Sequence, residues 1–177
     1  MSLTRDTLAE LPAPFKRKLL TLIFAVRQDG ARLLGMKKRG FGAGRYNGFG
    51  GKVEPGEEID VGAVRELHEE SLLLTEPQHL RRVGRLFFEF QDDTTILDVH
   101  IFDTRIWQGE AAETEEMRPQ WFNEEDVPFD MMWPDDRYWF PLMRQGKYFT
   151  GYFYFKDQST FSHHKLVEGR AEFADLR

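Results

Sequence analysis

A chain of 177 residues with 41% hydrophobic content and a net charge of -6 can bury one sizeable core and is too short to require a second domain. The acidic balance argues against a surface that holds a polymeric nucleic acid through its phosphates, despite the basic run Lys37-Lys38-Arg39. With no cysteine, disulfides, thiolate nucleophiles and zinc-thiolate sites are excluded, any metal must take oxygen or imidazole ligands, and a reducing compartment is suited.

Residues 1–16 carry Leu11-Pro12-Ala13-Pro14, lack a long periodic pattern and read as an extension ahead of a single domain at residues 17–177. The apolar run Leu19 to Val26 follows a basic triplet, but it contains Thr21 and leads into Arg27-Gln28-Asp29-Gly30 without a small-residue cleavage site. It is therefore a strand, not a signal sequence or membrane segment. Asp6 and Glu10 speak against a mitochondrial leader. Cytosol is the expected location, with a mitochondrial or nuclear fraction as the alternative, and neither a membrane nor an obligate second subunit is expected. Arg32 to Lys38 is a second strand, and Asp29-Gly30 predicts a hairpin between the two. The glycine-rich stretch Gly40 to Gly51 must follow a path that few side chains permit. It matches neither GxGxxG nor GxxxxGK[ST], since position 46 is Tyr and Val53 follows Lys52.

Gly51 to Leu73 organises the rest. At roughly 100° per residue, Glu66, Glu69 and Glu70 share one helix face, and such crowded like charges are easier to understand with a cation among them. Beyond this helix, Leu80 to Phe90 and Asp98 to Trp107 are strand-like, Arg118 to Phe122 is a short strand and Asn123 to Asp126 a helical turn. Pro134 to Arg144 predicts a second helix that Pro141 kinks or ends. Tyr148 to Lys156, aromatic at nearly every position, predicts a strand packed on both sides. His68 and the pair His163-His164 read as surface residues, the pair lacking an acidic partner at ligand spacing.

Gly51, Glu57, Arg65, Glu66, Leu67, Glu69, Glu70 and Leu73 stand in the register of the Nudix box, Gly-x5-Glu-x7-Arg-Glu-U-x-Glu-Glu-x-Gly-U, where U is a bulky aliphatic residue. The chain thus resembles the Nudix hydrolases, and GMKKRGFGAGRYNGFGGKV, DVH, EMRP, MWPDD and YWFPL make it similar to their oxidised purine nucleoside triphosphatase subgroup, the animal-type 8-oxo-dGTP diphosphatases. The likeness covers about Lys18 to Phe155. One departure is Leu72, where the box has the glycine that ends its helix. A left-handed Leu costs roughly 1–2 kcal/mol, so the expectation is a helix that ends a little late.

The resemblance implies an α/β (α+β) fold, an αβα sandwich around a mixed sheet, and hydrolysis of modified purine nucleoside triphosphates such as 8-oxo-dGTP and 2-hydroxy-dATP to monophosphate and pyrophosphate. It implies magnesium, with manganese as the substitute, held by Glu66, Glu69, Glu70 and Glu116 with the Gly51 carbonyl. Arg65 would orient the carboxylates and Lys37 would meet phosphate. Asn47, Asp135 and Asp136 match base-reading positions, and Thr21, Phe41, Phe88, Leu97, Met117, Trp133 and Trp139 match pocket-lining ones. Two alternatives stay open: a Nudix hydrolase acting on methylated purine triphosphates or on capped or dinucleotide substrates, and a nucleotide-binding module that keeps the fold without catalysis.

Overall fold

The structure is a computed structural model that describes residues 8–177; of the expected extension at residues 1–16, residues 1–7 lie outside the described residues. The elements run β1 (Lys16–Ala25), β2 (Arg32–Lys37), β3 (Tyr46–Asn47), α1 (Ile59–Ser71), β4 (Leu80–Phe90), β5 (Thr95–Thr104), β6 (Met117–Phe122), α2 (Asp136–Arg144), β7 (Phe149–Phe155), β8 (Phe161–Glu168) and α3 (Phe173–Leu176).

Five strands form a mixed sheet in the order β1-β5-β4-β7-β8, and β3-β2-β6 form a smaller antiparallel one. Parallel pairs join β1 to β5 and β4 to β7. Because Ile23 and Phe24 point to opposite faces and are both fully buried, the large sheet must be covered on each side. On one side the α1 stripe Ile59, Ala63 and Leu67 meets Leu19, Ile23 and Phe102. On the other, Trp139, Phe140 and Met143 of α2 meet Phe24, Leu86 and Phe149. This is the αβα arrangement expected from the resemblance. Gly62 and the β-branched residues of α1 give it little intrinsic helicity, so its packed stripe holds it, each fully buried aliphatic side chain contributing roughly 1.5–3 kcal/mol.

Within residues 8–15, apolar side chains pack on the fold. Leu8 packs against the core under α1, and Leu11 and Phe15 join Phe173 and Leu176 in a third cluster. The outer face of β4 and β5 is tied by ions. Arg85 grips Asp98 with two bonds of 2.9 Å, Arg17 Nε lies 2.8 Å from the same carboxylate, and Glu172, just before α3, approaches Arg85. Burial works against the Asp98 charge, but the Arg85 and His100 contacts prevail and hold its pKa well below the usual range.

Several expectations need correction. The Asp29-Gly30 turn forms, with Gly30 N–H bonded to the Arg27 carbonyl at 3.0 Å, yet a single bridge, Val26 to Arg32, follows it. β1 and β2 then part into different sheets, because β5 and β6 offer each a longer partner. Leu72 does not prolong α1. It ends the helix on time, in the left-handed region at φ 65, its N–H bonded to the His68 carbonyl at 2.9 Å. The glycine's conformation is kept and the strain is borne, with Leu72 exposed and Leu73 buried beside it. Helix α2 starts at Asp136, later than Pro134, and runs three residues past Pro141 without stopping. Within the glycine-rich stretch, Tyr46 and Asn47 pair with Met36 and Gly35 as β3. His68, His163 and His164 are exposed, the last pair stacking on Tyr154 and Phe153.

Candidate active site

α1 delivers the acidic side chains, and Arg65 fixes them. Its Nε and Nη2 donate to the two oxygens of Glu57 at 2.8 and 3.0 Å. Nη1 reaches Glu66 at 2.7 Å and Glu69 at 3.2 Å, and Nη2 also bonds the Lys52 carbonyl at 3.0 Å. The forked grip on Glu57 is the strong form of the guanidinium-carboxylate pair, and it is the main reason the Arg65 pKa rises further.

Glu66 lies against the Gly51 backbone, where a Cβ would meet its carboxyl carbon at 2.7 Å. Glu70 is buried; its Oε2 accepts the Gly50 N–H at 3.0 Å, and its Oε1 faces Lys37 Nζ across 3.5 Å. Burial pushes both carboxyls up, Glu70 to about 7, against smaller opposing pulls from the Gly50 N–H and Lys37 on Glu70 and from Arg65 on Glu66. Across the cleft, Glu116 receives Arg39 at 2.9 Å and Lys37 at 3.3 Å, and the Arg39 bond leads in lowering its pKa. Lys37 therefore stands between Glu70 and Glu116.

A divalent ion suits this donor set. The carboxylates and the Gly51 carbonyl are hard oxygens, the Gly51 cradle leaves Glu66 room beside the backbone, and a buried Glu70 and a half-buried Glu66 have too little countercharge to hold their ordinary pKa. Glu66, Glu69 and Glu70 share one face of α1, but their side chains part. Glu69 is exposed and turned to Arg65, and among the described residues no three acidic or histidine side chains yet converge on one point.

A cavity of about 610 Å³ opens beside the cluster. Lys37, Gly51, Glu70 and Glu116 line one end, together with Arg39 and Lys52. The remaining wall brings together Thr21, Phe41, Asn47, Phe88, Leu97 and Met117 with Trp133, Asp135, Asp136 and Trp139. Arg65, Glu66 and Glu69 stand off this wall.

Asp135 and Asp136 open α2 without capping it, since no side-chain cap bond forms. Asp135 instead accepts the Trp139 Nε1–H at 2.8 Å. Burial raises Asp135 to about 6 and Asp136 well above its ordinary value, the Asp135 charge adding to the second shift. Asp136 Oδ2 and Thr21 Oγ1 are buried on the cavity wall without a hydrogen-bond partner. Such an atom costs about 1–3 kcal/mol, so both call for polar atoms of a ligand. Sequence reasoning missed Leu86, Phe90 and Phe155 on the same wall, because a strand buried on both faces does not announce which face meets a cavity.

An αβα fold, a box of glutamates under an arginine and a cavity joining them to a buried acid pair define a hydrolase of nucleotide-like phosphoanhydrides. Residues 16–143 match the NUDIX domain, and the chain belongs to the Nudix family. It is 54% identical over 154 residues to an oxidized purine nucleoside triphosphate hydrolase of Danio rerio, covering 87% of this chain and 97% of that one. It is 53% identical over 151 residues to the protein of the same description from Mus musculus, covering 85% and 95%. Among solved structures, a mutator MutT protein of Bacillus halodurans superposes with a TM-score of 0.73 at 21% identity, over 84% of this chain and 97% of that one, a likeness of fold alone. Nudix hydrolases generally use divalent metal ions. Among the described residues no helix is long and apolar enough to cross a membrane.

Proposed function

We propose that this chain hydrolyses oxidised or otherwise modified purine nucleoside triphosphates, of the 8-oxo-dGTP and 2-hydroxy-dATP type, to monophosphate and pyrophosphate, and so cleanses the nucleotide pool. The observation that carries the reading is the cavity itself, whose wall carries the unpartnered Asp136 Oδ2 as well as Lys37 among carboxylates. The two relatives, more than half identical over nearly their whole length, support it.

The base stacks on an aromatic wall that includes Trp133, itself packed on Phe41 at 4.9 Å. Two adjacent buried carboxyls do not both ionise, so the Asp135-Asp136 pair offers one donor and one acceptor to the base edge, and Asn47 reads a further position. Exchange of the proton between the two acids lets differently modified purines fit. Lys37 leaves its carboxylates for phosphate.

Glu66, Glu69, Glu70, Glu116 and the Gly51 carbonyl would hold magnesium, or manganese in its place. When bound, the ion neutralises phosphate charge and makes water a better nucleophile. Arg65 keeps Glu66 and Glu69 in place. A water oriented by the helix glutamates attacks the β-phosphorus in line. Its oxygen ends in pyrophosphate, the bond to the α–β bridging oxygen breaks, the monophosphate leaves and one proton is released. We infer that the chain acts as one cytosolic domain and as a monomer, on small nucleotides and not on polymers.

The test is pyrophosphate release from a panel of modified and unmodified triphosphates with magnesium present. Much faster turnover of 8-oxo-dGTP and 2-hydroxy-dATP than of dGTP is expected. Equal rates would defeat the cleansing role.

A further inference from the structure

Arg45 does not line the cavity, yet its guanidinium carbon stands 4.2 Å from the ring centroid of Trp133, which does. The same guanidinium donates from Nη1 to the Gln158 carbonyl at 2.6 Å and from Nη2 to the Ser159 hydroxyl at 3.0 Å. These acceptors sit on a hydrogen-bonded turn between β7 and β8. Asp157 accepts the N–H groups of Ser159 and Thr160 at 2.7 and 2.9 Å, and Lys156 N–H bonds the Thr160 carbonyl at 2.8 Å. The Arg45 backbone is pinned as well, its carbonyl accepting the Lys37 N–H at 2.9 Å. One side chain thus joins the glycine-rich stretch, the cavity's indole and a distant turn.

Trp133 packs against the core and Gly42, and Arg45 adds a further hold. The indole is only partly buried, and its other ring neighbours are Phe41, itself 56% exposed at 4.9 Å, and the edge of Phe155 at 6.2 Å. Its carbonyl accepts the Asp136 N–H at 3.1 Å, so a shift of Trp133 carries into the acid pair. A cation over an indole face attracts it, and two bonds to a hydrogen-bonded turn restrict that cation.

We propose that Arg45 is a positioning residue for base recognition, bracing Trp133 from outside the cavity so that the indole stays a ready stacking wall without Arg45 touching the nucleotide. This rests on the reading that the cavity takes a purine nucleotide. The positive charge of Arg45 also acts on both Asp135 and Asp136, opposing part of their burial.

The experiment pairs Arg45→Ala and Arg45→Lys with Ser159→Ala, each also made in a Trp133→Phe background. Without any turnover, the share of tryptophan emission due to Trp133, taken as the difference between a protein and its Trp133→Phe version, should change on Arg45→Ala, while the remaining emission in the Trp133→Phe background should not. With 8-oxo-dGTP as substrate, KM should rise roughly three- to tenfold in Arg45→Ala while kcat stays within about twofold, and Arg45→Lys should recover part of the loss. Should Arg45→Ala fail to fold, the milder Ser159→Ala and Arg45→Lys decide, each expected to raise KM by a smaller factor. An unchanged Trp133 signal with unchanged KM, or a fall in kcat at constant KM, overturns the brace. If wild type turns over no purine triphosphate, the proposed function falls while the emission measurement still decides the brace.

Discussion

The Glu66 carboxylate rests on Gly51 so closely that a single added methyl at Gly51 would lie 2.7 Å from its carboxyl carbon. Gly51→Ala should therefore leave the fold standing, since a flexible side-chain end can yield, while driving Glu66 off its seat. Turnover should fall by about tenfold or more, on the scale of a disturbed metal-site neighbour. Circular dichroism and thermal unfolding like the wild type's, together with full activity, would show that Glu66 does not need this seat.

Glu70→Gln keeps the shape and an acceptor for the Gly50 N–H but removes the charge facing Lys37. Turnover should drop more than about 100-fold with thermal stability maintained or raised, because a buried carboxylate that burial already pushes toward neutrality no longer has to ionise. Glu69→Gln should lose turnover too, with little change in stability, because Glu69 is exposed. Retained activity in both variants would defeat the metal assignment.

The acid pair gives a pH dependence of defined sign. Asp135 and Asp136 have folded pKa values raised above the ordinary 3.8, so the folded chain binds protons that the unfolded chain has released. Their stabilising contribution is fully present below 3.8 and is lost as pH rises through the folded values, about 6 for Asp135. Asp136→Asn should thus gain stability relative to wild type as pH rises above 3.8. Urea unfolding at several pH values checks this, and a constant difference across them would contradict it.

How far this was readable from residues alone differs by region. Glu66, Glu69, Glu70 and Arg65 stood at fixed spacing on one helix, and such spacing survives folding unchanged. Which strands pair did not follow, because β1 finds β5 and β4 finds β7 across long intervals that a local pattern cannot encode. The turn at Asp29-Gly30 was visible and its partner strands were not. Segment 161–177 carried no motif, although β8 and α3 complete the sheet and its outer face. Arg45 sat in plain view within the glycine-rich run, but its contacts with Gln158 and Ser159 exist only in the folded chain.

Leu72 holds a left-handed conformation that suits glycine. Leu72→Gly should relieve that strain and raise the unfolding free energy by about 1 kcal/mol, a gain of roughly 2–4 °C in a chain of this size. Divalent-ion affinity should not move, because the helix already ends where a glycine would end it. A stability loss would mean that Leu72 contributes contacts worth more than its strain.

Arg85→Ala should cost about 3–5 kcal/mol, since it leaves Asp98 buried with its strongest partner gone. KM should stay near the wild-type value, because Asp98 and Arg85 do not line the cavity. Urea midpoints and steady-state kinetics measured on one preparation separate the two effects.

The parallel pairing of β1 with β5 also sets a timetable. Lys16 finds its partner at Thr95 and Ala25 at Thr104, so during synthesis the first strand must wait for the ribosome to release residues far downstream. At roughly 5–20 residues per second that interval lasts seconds, in which the edge of β1 meant for β5 lacks its partner while Phe49 and Val53 can already bond the other edge. A chaperone that shields this strand on the nascent chain would act before the cavity, its acids or its aromatic walls exist.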